Sequence, residues 1–155
     1  MKTNKMNKVL IALNFDPTAQ RIAEVGFTLA QRLSAEVVLL HVIEDLAAYS
    51  SNYQIMGSFQ LDNVVELSQA SQNFLDKVKR HLGDETMLTV IKEGDFAENI
   101  IHTASELDVD IIVMGSHSFK GLQNILMGSV TKDVLQKTTK LLFIIPTKNT
   151  INQNE

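Results

Sequence analysis

The chain has 155 residues, 45% hydrophobic and 21% charged, a balance that suits one folded domain with a sizeable core and not a disordered segment. Its net charge of −4 comes from interspersed acids and bases, with no basic face of the kind nucleic-acid binders carry. No apolar run approaches the roughly 18 residues that a bilayer span needs, and the absence of cysteine excludes disulfides and thiol chemistry.

The N-terminal MKTNKMNK is basic but runs into a strand-like segment, not the apolar stretch and cleavage site of a signal peptide, so a cytoplasmic location is expected. Residues 8–14 (KVLIALN) have strand length, and Asp16-Pro17-Thr18 punctuates them. Ile22, Val25, Leu29 and Leu33 then recur at helical spacing. Residues 36–43 (EVVLLHVI) form a second strand, apolar enough to be covered on both faces. Residues 44–60, rich in Tyr, Ser, Asn and Gly, make a long connection. A long helix follows with Leu61, Val64, Val65, Phe74, Leu75, Val78 and Leu82 on one side, and Gly83 is placed to end it. Its basic cluster, Lys77, Lys79 and Arg80, is bracketed by Asp76, Asp84 and Glu85 and reads as a solvated face.

Residues 87–92 (MLTVIK) make a third, more polar strand. Asp95 with Glu98 forms a capping box that opens a helix with Phe96, Ile100, Ala104 and Leu107 inward. The segment 110–130, DIIVMGSHSFKGLQNILMGSV, carries most of the functional argument. A buried strand empties into Gly115, a short loop follows, and Gly128 with Ser129 opens another helix, Ser129 being its expected N-cap. Free backbone N–H groups at a helix start, aided by the helix dipole, make an anion site. The last helix carries Val130, Val134 and Leu135, and residues 140–146 (KLLFIIP) are a fifth strand. Residues 1–7 and 147–155 are expected to be flexible tails.

The alternation predicts a single α/β domain, an open five-stranded parallel sheet with helices on both faces. Ligands of such sheets bind beyond the carboxyl ends of the strands, where the winding reverses.

From VLIALNFD through VVLLHVI and EGDFAENIIHTASELDVDIIVMGSHS to GSVTKDVLQKTTKLLFIIP, the chain resembles the universal stress protein family. The resemblance implies the strand order 3-2-1-4-5, with the reversal between strands one and four beside Asp16 and Gly115. The nucleotide-binding branch of that family carries Gly, two residues, Gly, nine residues, then Gly followed by Ser or Thr. Gly115, Gly128 and Ser129 match this pattern. Ser118 stands where the second Gly belongs, Phe119 where a basic residue is common, and Asn14 where Pro is frequent. The implied ligand is an adenine nucleotide, ATP with Mg2+, bound by Asp16, Val42 (through its backbone), Met114, Gly115, Ser118, Gly128, Ser129 and Val130. Ser118 and Phe119 together predict weakened binding.

Each of these residues also has a plainer role. Gly115 serves as a turn, and Ser129 as a cap without any ligand. Asp16 either caps the first helix with Pro17 at its first position or, preferred here, leaves that task to Thr18 and faces the pocket. Val42 reads as core by its side chain. His117 is expected to be solvated and His41 to be a satisfied core or edge group. His81 and His102 stand at no metal-ligand spacing. Lys120 lacks the P-loop order around it, and no nucleophile elbow or nicotinamide fingerprint occurs. The expected protein is therefore non-enzymatic. The rival readings are slow ATP hydrolysis or adenylate transfer using Asp16 and His117, and an interaction module with an empty crevice. The family order makes strand five a sheet edge, and its apolar run Leu141, Leu142, Phe143, Ile144 and Ile145 is expected to pair with a second copy of the chain.

Overall fold

The computed structural model describes residues 5–44, 57–117 and 127–147, with backbone alone for 57–64. Along these residues β1 (Lys8–Leu13), α1 (Ala19–Leu33), β2 (Glu36–Ile43), α2 (Gly57–Leu82), β3 (Leu88–Glu93), α3 (Phe96–Glu106), β4 (Ile111–Gly115), α4 (Ser129–Lys137) and β5 (Leu141–Ile145) follow one another. The five strands pair in parallel in the order β3-β2-β1-β4-β5, as the resemblance implied.

The two-residue period of the strands divides the core into two layers. Val9, Ile11 and Leu13 of β1 pack with Ile22 and Ala23 of α1 and with Leu75 and Val78 of α2. Leu10 and Ala12 pack on the other side with Ile100 and Ala104 of α3 and Val134 of α4. Both layers are apolar, which is why β1, β2 and β4 read as continuous hydrophobic runs. Gly83, at φ +77°, ends α2 as expected, with the Asp84 N–H closing on the Lys79 carbonyl at 3.2 Å. Asp95 caps α3 by accepting from the Glu98 N–H at 2.9 Å.

Several expectations need correction. Val25, Val65 and Leu135 were assigned to inward faces by periodicity but are exposed, because each helix buries a narrower stripe than the three-and-four spacing covers. The α2 helix begins at Gly57, ahead of the first apolar repeat, and residues 45–56 of the expected connection lie outside the described residues. At the N-terminus residues 5–7, expected to belong to a flexible tail, are described, and residues 1–4 lie outside the described residues. Met6 packs on the core, and the Asn7 and Lys8 N–H groups donate to the Asp110 carboxylate at 2.7 and 3.0 Å. At the other end Thr147 is buried, and residues 148–155 lie outside the described residues.

His41 sits in β2 among apolar neighbours and is buried, as expected of a satisfied core group. Its Nδ1–H donates to the Leu13 carbonyl at 3.0 Å, and its ring meets Phe74 edge-on with centroids 5.7 Å apart. Burial pushes its pKa below the ordinary value of 6.5, opposed by the bond to Leu13. On lowering the pH the unfolded chain therefore takes up this proton before the folded one, so the stability contributed is complete above pH 6.5 and is lost as the pH falls through the folded value. Urea midpoints should decline below pH 6.5. His41→Gln, which retains a donor for Leu13 but does not titrate there, should flatten that decline, and parallel profiles would show that other groups cause it.

Helix α1 lies so close to the sheet at Gly26 that an added Cβ would stand 2.8 Å from Ile11 Cδ1 and 3.2 Å from Val113 Cγ1. Both partners are fully buried and have no room to withdraw. Gly26→Val should cost about 1–3 kcal/mol by overpacking, read as a lower urea midpoint. An unchanged midpoint would show that α1 backs away without loss.

Candidate functional site

The winding reverses between β1 and β4, so the segments leaving their carboxyl ends diverge over opposite faces of the sheet and leave a crevice between them. Met114 and Gly115 end β4 fully within the core, and Val42 of β2 is buried in the α3–α4 layer, its side chain serving as core in agreement with the plainer reading.

Beyond Gly115, Ser116 is a hub. Its N–H donates to the Ile145 carbonyl at 2.8 Å, and its carbonyl accepts from the Gly128 N–H at 2.7 Å. Its hydroxyl accepts from the Thr147 N–H at 3.1 Å and lies 2.8 Å from His117 Nδ1. The His117 N–H donates to Thr147 Oγ1 at 3.0 Å, and the Thr131 hydroxyl donates to the Gly115 carbonyl at 2.8 Å. Ser116, His117, Thr131 and Thr147 are all buried. The expectation of a solvated His117 is thus corrected. The backbone bond to Thr147 and the contact with Ser116 draw it under the surface.

These bonds also decide what α4 can offer a ligand. Gly128, not Ser129, occupies the N-cap, and it makes no side-chain cap bond. Ser129 is the first helical residue and is exposed, so the expected serine cap is replaced by a glycine tied to Ser116. The Gly128 N–H is spent on that tie, and the Lys132 N–H closes on the Gly128 carbonyl at 3.0 Å. The N–H groups of Ser129, Val130 and Thr131 have no acceptor within the helix and form an anion-directed cluster at the positive end of the dipole.

Across the crevice, Asp16 is already engaged. One carboxylate oxygen accepts from the Thr18 N–H at 2.7 Å and from the Thr18 hydroxyl. Thr18, which precedes the first helical residue, makes no side-chain cap bond of its own. Thr18 therefore stands at the N-cap, as preferred, but Asp16 closes a turn onto it, and the expectation of an unengaged Asp16 carboxylate is corrected. Asp16 is half-buried and also borders a groove of about 780 Å³ between α1 and α2, lined mainly by apolar groups including Phe15, Ala23 and Phe74. Ser118, Phe119 and Lys120 lie outside the described residues.

The site fits a nucleotide's phosphates better than it fits a metal of its own. Three N–H donors suit phosphate oxygens, whereas no group of three or more metal-binding side chains occurs among the described residues. Mg2+ would enter on the phosphates, as it commonly does. The sequence reading missed Ser116, Thr131 and Thr147. The Gly-Ser-x-Thr order at 128–131 was a usable sign for Thr131, since a threonine in the first turn can reach back to the preceding strand. Nothing local marked Thr147, placed beyond Pro146 in a polar stretch.

The model of the universal stress protein family matches residues 5–146. Universal stress protein MJ0577 of Methanocaldococcus jannaschii is 30% identical over 155 aligned positions, spanning 92% of this chain and 96% of that protein. A solved structure of the MJ0577 protein superposes with a TM-score of 0.74 at 28% identity, covering 92% of this chain and 97% of the other. A universal stress protein solved in complex with cAMP has the same fold, with a TM-score of 0.66 at 14% identity over 93% of this chain and 99% of its own. Sequence, strand order and chain length agree, and the chain belongs to the universal stress protein family.

Proposed function

We propose that this protein is a non-enzymatic, cytoplasmic stress-response module that binds an adenine nucleotide, ATP with its Mg2+, at the crevice between β1 and β4. The observation that carries the reading is the N-terminus of α4, whose first N–H groups have no acceptor within the helix and lie beside the buried end of β4. The cAMP complex of a structural relative supports an adenine ligand. The phosphates lie on Ser129, Val130 and Thr131, and the adenosine end extends toward Asp16 and the backbone of Val42. The nucleotide acts as a signal and not as a substrate. Both candidates for a hydrolytic role are partly engaged: one Asp16 carboxylate oxygen accepts from Thr18, and His117 Nδ1 lies against Ser116 Oγ.

Affinity is limited by the two departures at Ser118 and Phe119. The family glycine at the first position permits a left-handed backbone, where a Cβ costs roughly 1–2 kcal/mol, about tenfold in affinity. Phe119 removes a cation able to pair with phosphate. Calorimetric titration with ATP and magnesium should find weak or undetectable binding by the natural chain. Ser118→Gly should give a modest gain, adding Phe119→Arg a larger one, and none of the three should release phosphate faster than a variant with Asp16→Ala and His117→Ala together. Tight binding by the natural chain would remove Ser118 as a defect. No binding by the doubly restored variant would favour the interaction module with an empty crevice.

The protein works as a homodimer paired through β5. This strand is a sheet edge, and it turns Leu141 (55% exposed) and Phe143 (40%) outward. Leu142 and Ile144 are half-buried, and Ile145 is closed off. An open apolar edge is an aggregation hazard unless covered, and an antiparallel pairing with its own copy closes it. Phe143→Lys should shift sedimentation toward monomer or yield insoluble protein, and a soluble, unchanged dimer would move the interface elsewhere.

A further inference from the structure

We propose that Thr147 is a positioning residue of the anion site, holding the first turn of α4 in place through Ser116 and His117. The inference rests on the reading of that helix start as the phosphate-binding element. Pro146 is exposed, yet the next residue turns fully inward, with Thr147 showing no accessible surface. Both of its polar groups are used, and both reach across the fold. The backbone N–H donates to Ser116 Oγ at 3.1 Å, and the hydroxyl accepts from the His117 N–H at 3.0 Å. These partners are 31 and 30 residues away in the chain.

Ser116 hands the constraint on. Its carbonyl receives the Gly128 N–H, and Gly128 is the residue from which α4 starts. An unbroken path of hydrogen bonds therefore runs from the second residue after β5, through the two residues after β4, to Gly128, the residue next to the donors at Ser129, Val130 and Thr131. Thr131 adds a second tie, to the Gly115 carbonyl at 2.8 Å, which fixes the helix to the strand but not to the turn that follows it. A valine at 147 would fill the same space and would leave the His117 N–H, buried with its residue, without this acceptor. Packing alone therefore does not account for a hydroxyl there. A group that orders the turn and aims the helix start does.

Amide hydrogen exchange on the full chain tests this directly. Thr147→Val should speed exchange about tenfold at His117 and Gly128, the equivalent of one lost hydrogen bond, while the amides of β1 stay protected. Thr147→Ser, which keeps the hydroxyl, should restore both. In a chain carrying Ser118→Gly and Phe119→Arg, calorimetry should show ATP affinity falling about tenfold with Thr147→Val and returning with Thr147→Ser, by the same conversion. Unchanged exchange at Gly128, or Val and Ser behaving alike, would overturn the proposal. So would exchange raised equally throughout β1, which would mark a general structural role, or ATP affinity untouched by a loosened Gly128. If the restored background binds no ATP at all, the nucleotide reading fails, and exchange at Gly128 alone then decides whether Thr147 positions the helix start.

Discussion

Everything in this fold is laid against β1. Val9 to Leu13 have no accessible surface, and the strand is paired on both edges, with β2 over six residues and with β4 over three. Its neighbours are both parallel, and the chain leaves β1 into α1 on one side of the sheet and leaves β4 into α4 on the other. These two helices depart over opposite faces, and the crevice at the carboxyl ends of β1 and β4 is what that divergence leaves open. The site is a consequence of strand order before it is a consequence of any site residue.

The price of opening a crevice in a hydrophobic sandwich is a set of backbone groups that strands and helices no longer satisfy. Ser116 meets most of that need. Its three polar groups connect the ends of β4 and β5 with the start of α4, and they consume the Gly128 N–H in doing so. The glycine that looked like a phosphate contact by spacing is thus a structural tie, and the anion-directed donors are moved one residue further into the helix. The same economy applies to Asp16, whose carboxylate is engaged by Thr18 in the turn that leads into α1.

Layers and most element bounds were legible because β1, β2 and β4 are largely apolar and the helices between them carry a helical period, whereas the strand order followed only from the family resemblance. What escaped was of two kinds. Side chains near the rim of a helix stripe, such as Val25 and Leu135, share the period of the core without its burial, since periodicity reports direction and not depth. Polar contacts between distant segments leave no local trace. His117 looked like a loop residue and Thr147 like part of a frayed tail, because the bond between them depends on the pairing of β4 with β5. Thr18 at the N-cap of α1 was legible as the preferred of two options, but its engagement of the Asp16 carboxylate was not.

Buried polar side chains show where the fold tolerates cost. Thr18, His41, Ser116, His117, Thr131 and Thr147 all lie toward the carboxyl end of the sheet, and only Ser71 and Thr103 are buried elsewhere among the described residues. A buried hydroxyl or imidazole gains little over an apolar group of equal size even when its bonds are made, and it costs more when they are not. Thr103 Oγ1 illustrates the second case, having no hydrogen-bond partner among the described residues, and nothing in the structure explains its presence. The clustered groups differ from it in that each is bonded to a backbone or side-chain atom of another segment at the crevice end, or to the turn that enters it. Stability alone would favour apolar residues at those positions. Their concentration around the one crevice that strand order creates argues that they are there to hold its walls in a defined shape, which is the property a ligand site needs and a core does not.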